Sequence, residues 1–129
     1  MTLKTIQEFF LNDSDLLKYY DPFSKATTNE EACYEIYQKI IEHAEDRECQ
    51  FMRNEIGYIF TSYNVLISFC VKPECRTKEN LVKFGEFIKE KMGDKIHCYL
   101  FTKNTRGINF LKKLGLKEER QELITHLYN

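Results

Sequence analysis

The side chains in this sequence whose types and spacing could do chemistry are five cysteines, three histidines and one helix-opening asparagine. Cys70 and Cys75 have four residues between them, and His97 adjoins Cys98. That is a start on a zinc site, but no second closely spaced pair completes a ligand set. The odd number of cysteines (Cys33, Cys49, Cys70, Cys75, Cys98), scattered through helix and strand patterns, instead suits buried reduced thiols, a cytoplasmic setting and no metal. Asn104 poses a different choice. In KNTRGINFLKKLGLK it stands where a side chain caps the first helical turn, and also where an amide could face a ligand.

These residues need elements to position them, and the chain has 129 residues, 43% of them hydrophobic, enough for one core and one domain over 1–129. Nineteen basic residues against twenty acidic ones leave no global field to recruit nucleic acid. No apolar run approaches the ~20 residues of a membrane span, and Lys4, Gln7 and Glu8 do not suit a signal peptide. TLKTIQEFFL predicts a short helix with Leu3, Ile6, Phe9 and Phe10 inward, and DSDLLKYYDPF a helical turn stopped before Pro22. TNEEACYEIYQKIIEHAED places Cys33, Ile36, Tyr37, Ile40, Ile41 and Ala44 on one face, with Thr28 and Glu31 spaced as a capping box.

The period then changes. CQFMR and IGYIFTS predict two antiparallel strands joined around Asn54-Glu55, and the apolar run NVLISFCV a central strand covered on both faces. KPECRTK reads as a loop. ENLVKFGEFIKEKMG follows as a helix with Leu81, Phe84, Ile88 and Met92 along one stripe and a stop at Gly93. KIHCYLFT is the next strand. The asparagine-led segment is a helix with Ile108, Leu111 and Leu114 inward, ended by Gly115, and ELITHLY is a last strand. Helices, three strands, helix, strand, helix, strand make a mixed α/β domain with a strand-helix-strand crossover in its second half.

This order, with ISFCVKPECRTKENLVKFGEFI and NTRGINFLKKLGLK, resembles the GNAT family of acyl-coenzyme A-dependent N-acetyltransferases, well over residues 49–128 and loosely before them. The resemblance implies acetyl-coenzyme A as cosubstrate and a small-molecule or protein amine as acceptor. It also implies a mixed sheet whose central strand runs parallel to KIHCYLFT and splays from it. Val71, Pro73 and Arg76 match the family's V-x-P-x-x-R segment, so Arg76, Thr77 and Lys78 are expected at the pyrophosphate, with the backbone of Phe69, Cys70 and Val71 along the pantetheine. Asn104, Gly115 and Leu116 match the family's last helix, which gives Asn104 a second role facing the coenzyme.

Two departures stand out. The family has glycines where this chain has Glu79 and Leu81, and the tyrosine that serves many members as acid is matched by Leu111. Acyl transfer also needs a base; His97 and Glu74 are the candidates, with Glu55 beside them and His126 and His43 behind. Small glycine-poor members with such endings look like bacteriophage proteins, some of them virion-associated. That likeness implies an alternative: a catalytically silent binding protein whose partners are virion proteins or a second copy of the chain.

Overall fold

The computed structural model describes residues 1–46 and 48–129. Helix α1 (Leu3–Phe10) starts where Thr2 Oγ1 accepts the Thr5 N–H at 3.3 Å, and it buries Ile6, Phe9 and Phe10. A single turn, α2 (Leu16–Tyr19), follows and buries Leu16. Helix α3 (Asn29–Ala44) has the expected start: Thr28 Oγ1 accepts the Glu31 N–H at 3.2 Å and donates to Glu31 Oε1 at 3.1 Å. Its buried stripe is narrower than its apolar pattern suggests. Ala32, Cys33 and Ile40 are inside, whereas Ile41 and Ala44 face solvent, Ile41 lying about 100° around the helix from Ile40.

Six strands form one mixed sheet in the order β1-β2-β3-β4-β6-β5: β1 (Cys49–Arg53), β2 (Gly57–Ser62), β3 (Val65–Val71), β4 (His97–Phe101), β5 (Lys117–Arg120) and β6 (Ile124–Tyr128). Asn54 turns the first hairpin, its Oδ1 accepting the N–H groups of Ile56 and Gly57 at 2.9 and 3.0 Å. Tyr63 and Asn64, both at positive φ, turn the second, as a two-residue hairpin requires. Gly57 is required by contact, since a Cβ there would lie 2.3 Å from the Cys70 carbonyl oxygen. KPECRTK is a loop apart from a 3-10 turn at Pro73–Cys75. The crossover helix α4 (Lys78–Met92) and helix α5 (Thr105–Lys113) lie on one face, where Phe84, Ile88, Ile108 and Leu111 meet Ile59, Leu66, Cys98 and Leu127.

On the other face α1 to α3 pack against Tyr58, Phe60 and Cys70 of β2 and β3. Two expectations are corrected here. The run NVLISFCV is not covered on both sides: Ile67 is 36% exposed, and the strand buried on both sides is its neighbour β2, over residues 57–61. The cause is a bulge. Phe60 opposes Ser68 but Thr61 opposes Leu66, leaving Ile67 as the extra residue. The second correction is β5, whose Lys-Glu-Glu-Arg carries no apolar alternation because it is a solvated edge strand.

Candidate functional site

Strands β3 and β4 are parallel but paired at one position only, Leu66 opposite Cys98, whereas β4 pairs with β6 along its whole length. The sheet is therefore split at the carboxyl ends of β3 and β4. The edge of β3 facing the split can be read from its other side. Lys72 N–H bonds to the Ile56 carbonyl at 2.9 Å, which directs the Cys70 backbone groups toward β2 and those of Phe69 and Val71 into the split. Of the three backbone positions expected along a pantetheine, Phe69 and Val71 face the split and Cys70 faces β2.

One of those groups already has a partner. Arg76 Nε donates to the Val71 carbonyl at 3.1 Å while Nη2 bonds to Asp13 Oδ2 at 2.8 Å. Asp13 is 3% exposed and also accepts from the Tyr19 hydroxyl and the Asp15 N–H. Burial opposes its charge, but the bonds from Arg76, Tyr19 and Asp15 outweigh it and hold the carboxyl below its ordinary range. The Arg76 guanidinium thus ties the end of β3 to the α1–α2 segment through Nε and Nη2. Beside it burial pushes the Cys70 thiol up to about 12. Across the split, Arg106 of α5 bonds to Asp15 at 2.8 Å, and Lys103 reaches the Leu17 carbonyl at 3.4 Å. The α1–α2 segment therefore bridges the two sides.

Two helices begin near the open end. Thr77 Oγ1 accepts the Asn80 N–H at 3.2 Å and its carbonyl the Leu81 N–H at 2.9 Å, so Thr77 caps α4; Lys78 is exposed. Glu79 turns along the helix to Lys83, 3.3 Å away, which takes its charge off the helix end, and half-buried Leu81 packs into the core. Asn104 Oδ1 accepts the Gly107 N–H at 3.0 Å, and the same residue borders a cavity of about 420 Å³ on the α1–α3 face of the split. Asn104 therefore both caps α5 and lines a cleft.

That cavity is lined by Ile67, Ser68, Phe69 and Phe101 of the sheet and by Tyr20, Asp21, Lys39 and His43 of the segment and helix that cover it. Asp21 Oδ2 lies 3.0 Å from Lys39 Nζ, and Oδ1 accepts the Phe23 N–H at 2.8 Å. Burial raises the Asp21 carboxyl, but these partners outweigh it and the net shift is downward. Sequence reasoning missed Asp21, Lys39 and Ile67. Asp21 precedes Pro22 and reads as a helix stop, and only the fold carries it to the cleft.

The base candidates sit elsewhere, with one exception. His97 stacks on His126, with Nδ1 and Nε2 3.0 Å apart, on the sheet face that α1 to α3 leave open. Glu74, in the 3-10 turn, and Glu55, in the first hairpin turn, are exposed, and neither they nor His97 and His126 line the cavity; His43 does. Leu111 is fully buried. Cys33, Cys70 and Cys98 are buried, as read from the sequence, with Cys49 and Cys75 half-buried. Among the described residues no group of three or more His, Cys, Asp or Glu side chains is arranged to hold a metal ion, and no helix is long and apolar enough to cross a membrane.

No protein-family model matches the sequence, and no curated protein matches it. Solved structures do resemble the fold. Spermidine N-acetyltransferase from Vibrio cholerae, in complex with CoA and spermine, is 16% identical, with 98% of this chain and 88% of that chain covered and a TM-score of 0.59. The Campylobacter jejuni N-acetyltransferase PseH, in complex with acetyl coenzyme A, is 14% identical over 77% of each chain with a TM-score of 0.51. The mixed sheet with its splayed parallel pair is the GNAT fold.

Proposed function

We propose that this protein transfers an acetyl group from acetyl-coenzyme A to an amine. The observation that carries the reading is the split between β3 and β4. It leaves the backbone of Phe69 and Val71 facing a gap flanked by the starts of α4 and α5, with a cavity opening on the far face. These features fit the cosubstrate: Phe69 and Val71 would hold its amide-bearing arm, Thr77 and Lys78 would lie toward its phosphate end, and Asn104 would face it from the cavity wall. Bound there, acetyl-coenzyme A supplies an activated acetyl group, so that an N–C bond forms, the C–S bond breaks and the coenzyme leaves as its thiol.

The chain's own residues orient the acceptor and manage its proton. His43 is the histidine on the cavity wall, and imidazole is the side chain suited to accept a proton from an ammonium near neutral pH. Leu111 supplies no acid, so the leaving thiolate relies on its own stability and on the proton released by the attacking nitrogen. The alternative, a silent binding protein with a vacant notch, draws on the Val71 carbonyl being engaged by Arg76 and on a loop, RTKENL, without glycine. Calorimetric titration with coenzyme A decides between them. Binding is expected, and no heat at millimolar coenzyme would exclude the transferase and leave the silent reading.

A further inference from the structure

An isoleucine on the middle strand of a sheet belongs inside, yet Ile67 is 36% exposed and borders, with Ser68 and Phe69, the cavity of about 420 Å³. Uncovered apolar surface in a concave site is surface kept for an apolar occupant. The same cavity is lined by the half-buried Tyr20, Ile36 and Phe101, over the buried side chains of Phe10, Ile40 and Phe60.

The charges on this wall are few and nearly balanced. Asp21 is the carboxylate that lines it, and Lys39 stands 3.0 Å away. The neighbouring carboxylates are committed elsewhere. Both oxygens of Glu35 accept from Ser24 Oγ, at 3.0 and 2.6 Å, and Oε2 also accepts from the Tyr20 hydroxyl at 2.8 Å. Asp13 is held by Arg76 and Tyr19. A polyvalent cation needs an acid for each of its ammonium groups; here a second ammonium would meet Lys39. A single ammonium has only to share Asp21 with Lys39 and needs no second acid.

Resting on the acetyl-transfer reading above, we propose that the acceptor is a monoamine carried on an apolar, ring-bearing body, and not a polyamine. The ring lies against Ile67 and Phe101, and the nitrogen points to the split between Phe69 and Asn104. Asp21 draws in the single charge, His43 takes one proton from the ammonium, and the nitrogen's second proton goes to the departing thiolate as the N–C bond replaces the C–S bond. Nothing in this scheme requires a further cosubstrate.

The test uses 2-phenylethylamine and spermidine. Each is first titrated into the intact chain without coenzyme, and each is then offered with acetyl-coenzyme A in a thiol-release assay. Phenylethylamine should raise Tm where spermidine does not, and its kcat/KM should exceed that of spermidine by about tenfold or more. Ile67→Asp places an acid in the apolar wall at a position exposed enough to tolerate it, and should move the preference toward spermidine by about tenfold. Equal or better use of spermidine, or an unchanged ratio in Ile67→Asp, would overturn the proposal. If the coenzyme fails to bind, the transfer reading falls by itself, and the first titration still decides the cavity's ligand class: a response to phenylethylamine supports it, and none overturns it.

Discussion

Arg76→Ala removes one guanidinium and strands two groups, the Asp13 carboxylate at 3% exposure and the Val71 carbonyl. Breaking a buried ion pair from one side costs about 3–5 kcal/mol because the remaining charge stays desolvated. Two features place this case near the lower end. Tyr19 and the Asp15 N–H still bond to Asp13, and the carboxyl can escape by protonation, which at pH 7 from an ordinary value near 3.9 costs about 4 kcal/mol. We therefore expect a loss of ~3 kcal/mol, seen in urea denaturation as a midpoint lowered by roughly 1–3 M at unchanged slope. Arg106→Ala is the control: its bond to Asp15 is equally short but both partners are well exposed, so it should cost under ~1 kcal/mol. The Asp13→Asn, Arg76→Ala double variant should be more stable than Arg76→Ala alone, since no charge is then stranded. The pH dependence has a definite sign. The folded Asp13 carboxyl lies below its unfolded value, so its stabilisation is present above about pH 4 and is lost as pH falls through the folded value; Arg76→Ala should flatten that limb. An Arg76→Ala cost no larger than that of Arg106→Ala would refute the reasoning.

Two other outcomes follow from the burial of the thiols and the cap of α5. Burial pushes the Cys33 thiol up to about 11 and the Cys70 thiol up to about 12, and raises Cys98 as well, so at pH 8 a thiol-alkylating reagent should mark Cys49 and Cys75 in the folded protein and the other three only after denaturation, read by mass spectrometry. Asn104→Ala should cost about 1 kcal/mol through the lost cap, whereas Asn104→Asp keeps the cap; a drop in coenzyme affinity in Asn104→Asp at wild-type stability would assign the amide its second role.

What could be read from the chain was whatever a local pattern encodes. Thr28 and Glu31 announce α3, Asn54 announces a hairpin, and Gly115, at φ 98°, ends the last helix. The parallel, splayed pair was legible through its likeness to a known fold, since crossover helix and strands follow one another directly. The charged strand β5 has no period to detect. Ile67 was misplaced because a bulge breaks the alternation on which burial is inferred. The tie between Arg76 and Asp13 was not legible because Asp13 lies 63 residues earlier in the chain, and nothing in either neighbourhood signals the other. The cavity escaped for the same reason: its walls come from α1, α2, α3, β2, β3, β4 and the start of α5, which meet only in the folded molecule.

The lone pairing of Leu66 with Cys98 also has a mechanical meaning. It is the fulcrum between two three-stranded jaws, β1-β2-β3 and β4-β6-β5. From Leu66 to Val71 the upper jaw extends about 17 Å at ~3.3 Å per residue, so a rotation of ~5° at the fulcrum shifts its tip by ~1.5 Å. The α1–α2 segment grips both tips, one through Asp13 and Arg76 and the other through Asp15 and Arg106, and so works as a tie-bar across the mouth. A segment that contributes no strand to either jaw thus carries one ion pair to each side of the mouth.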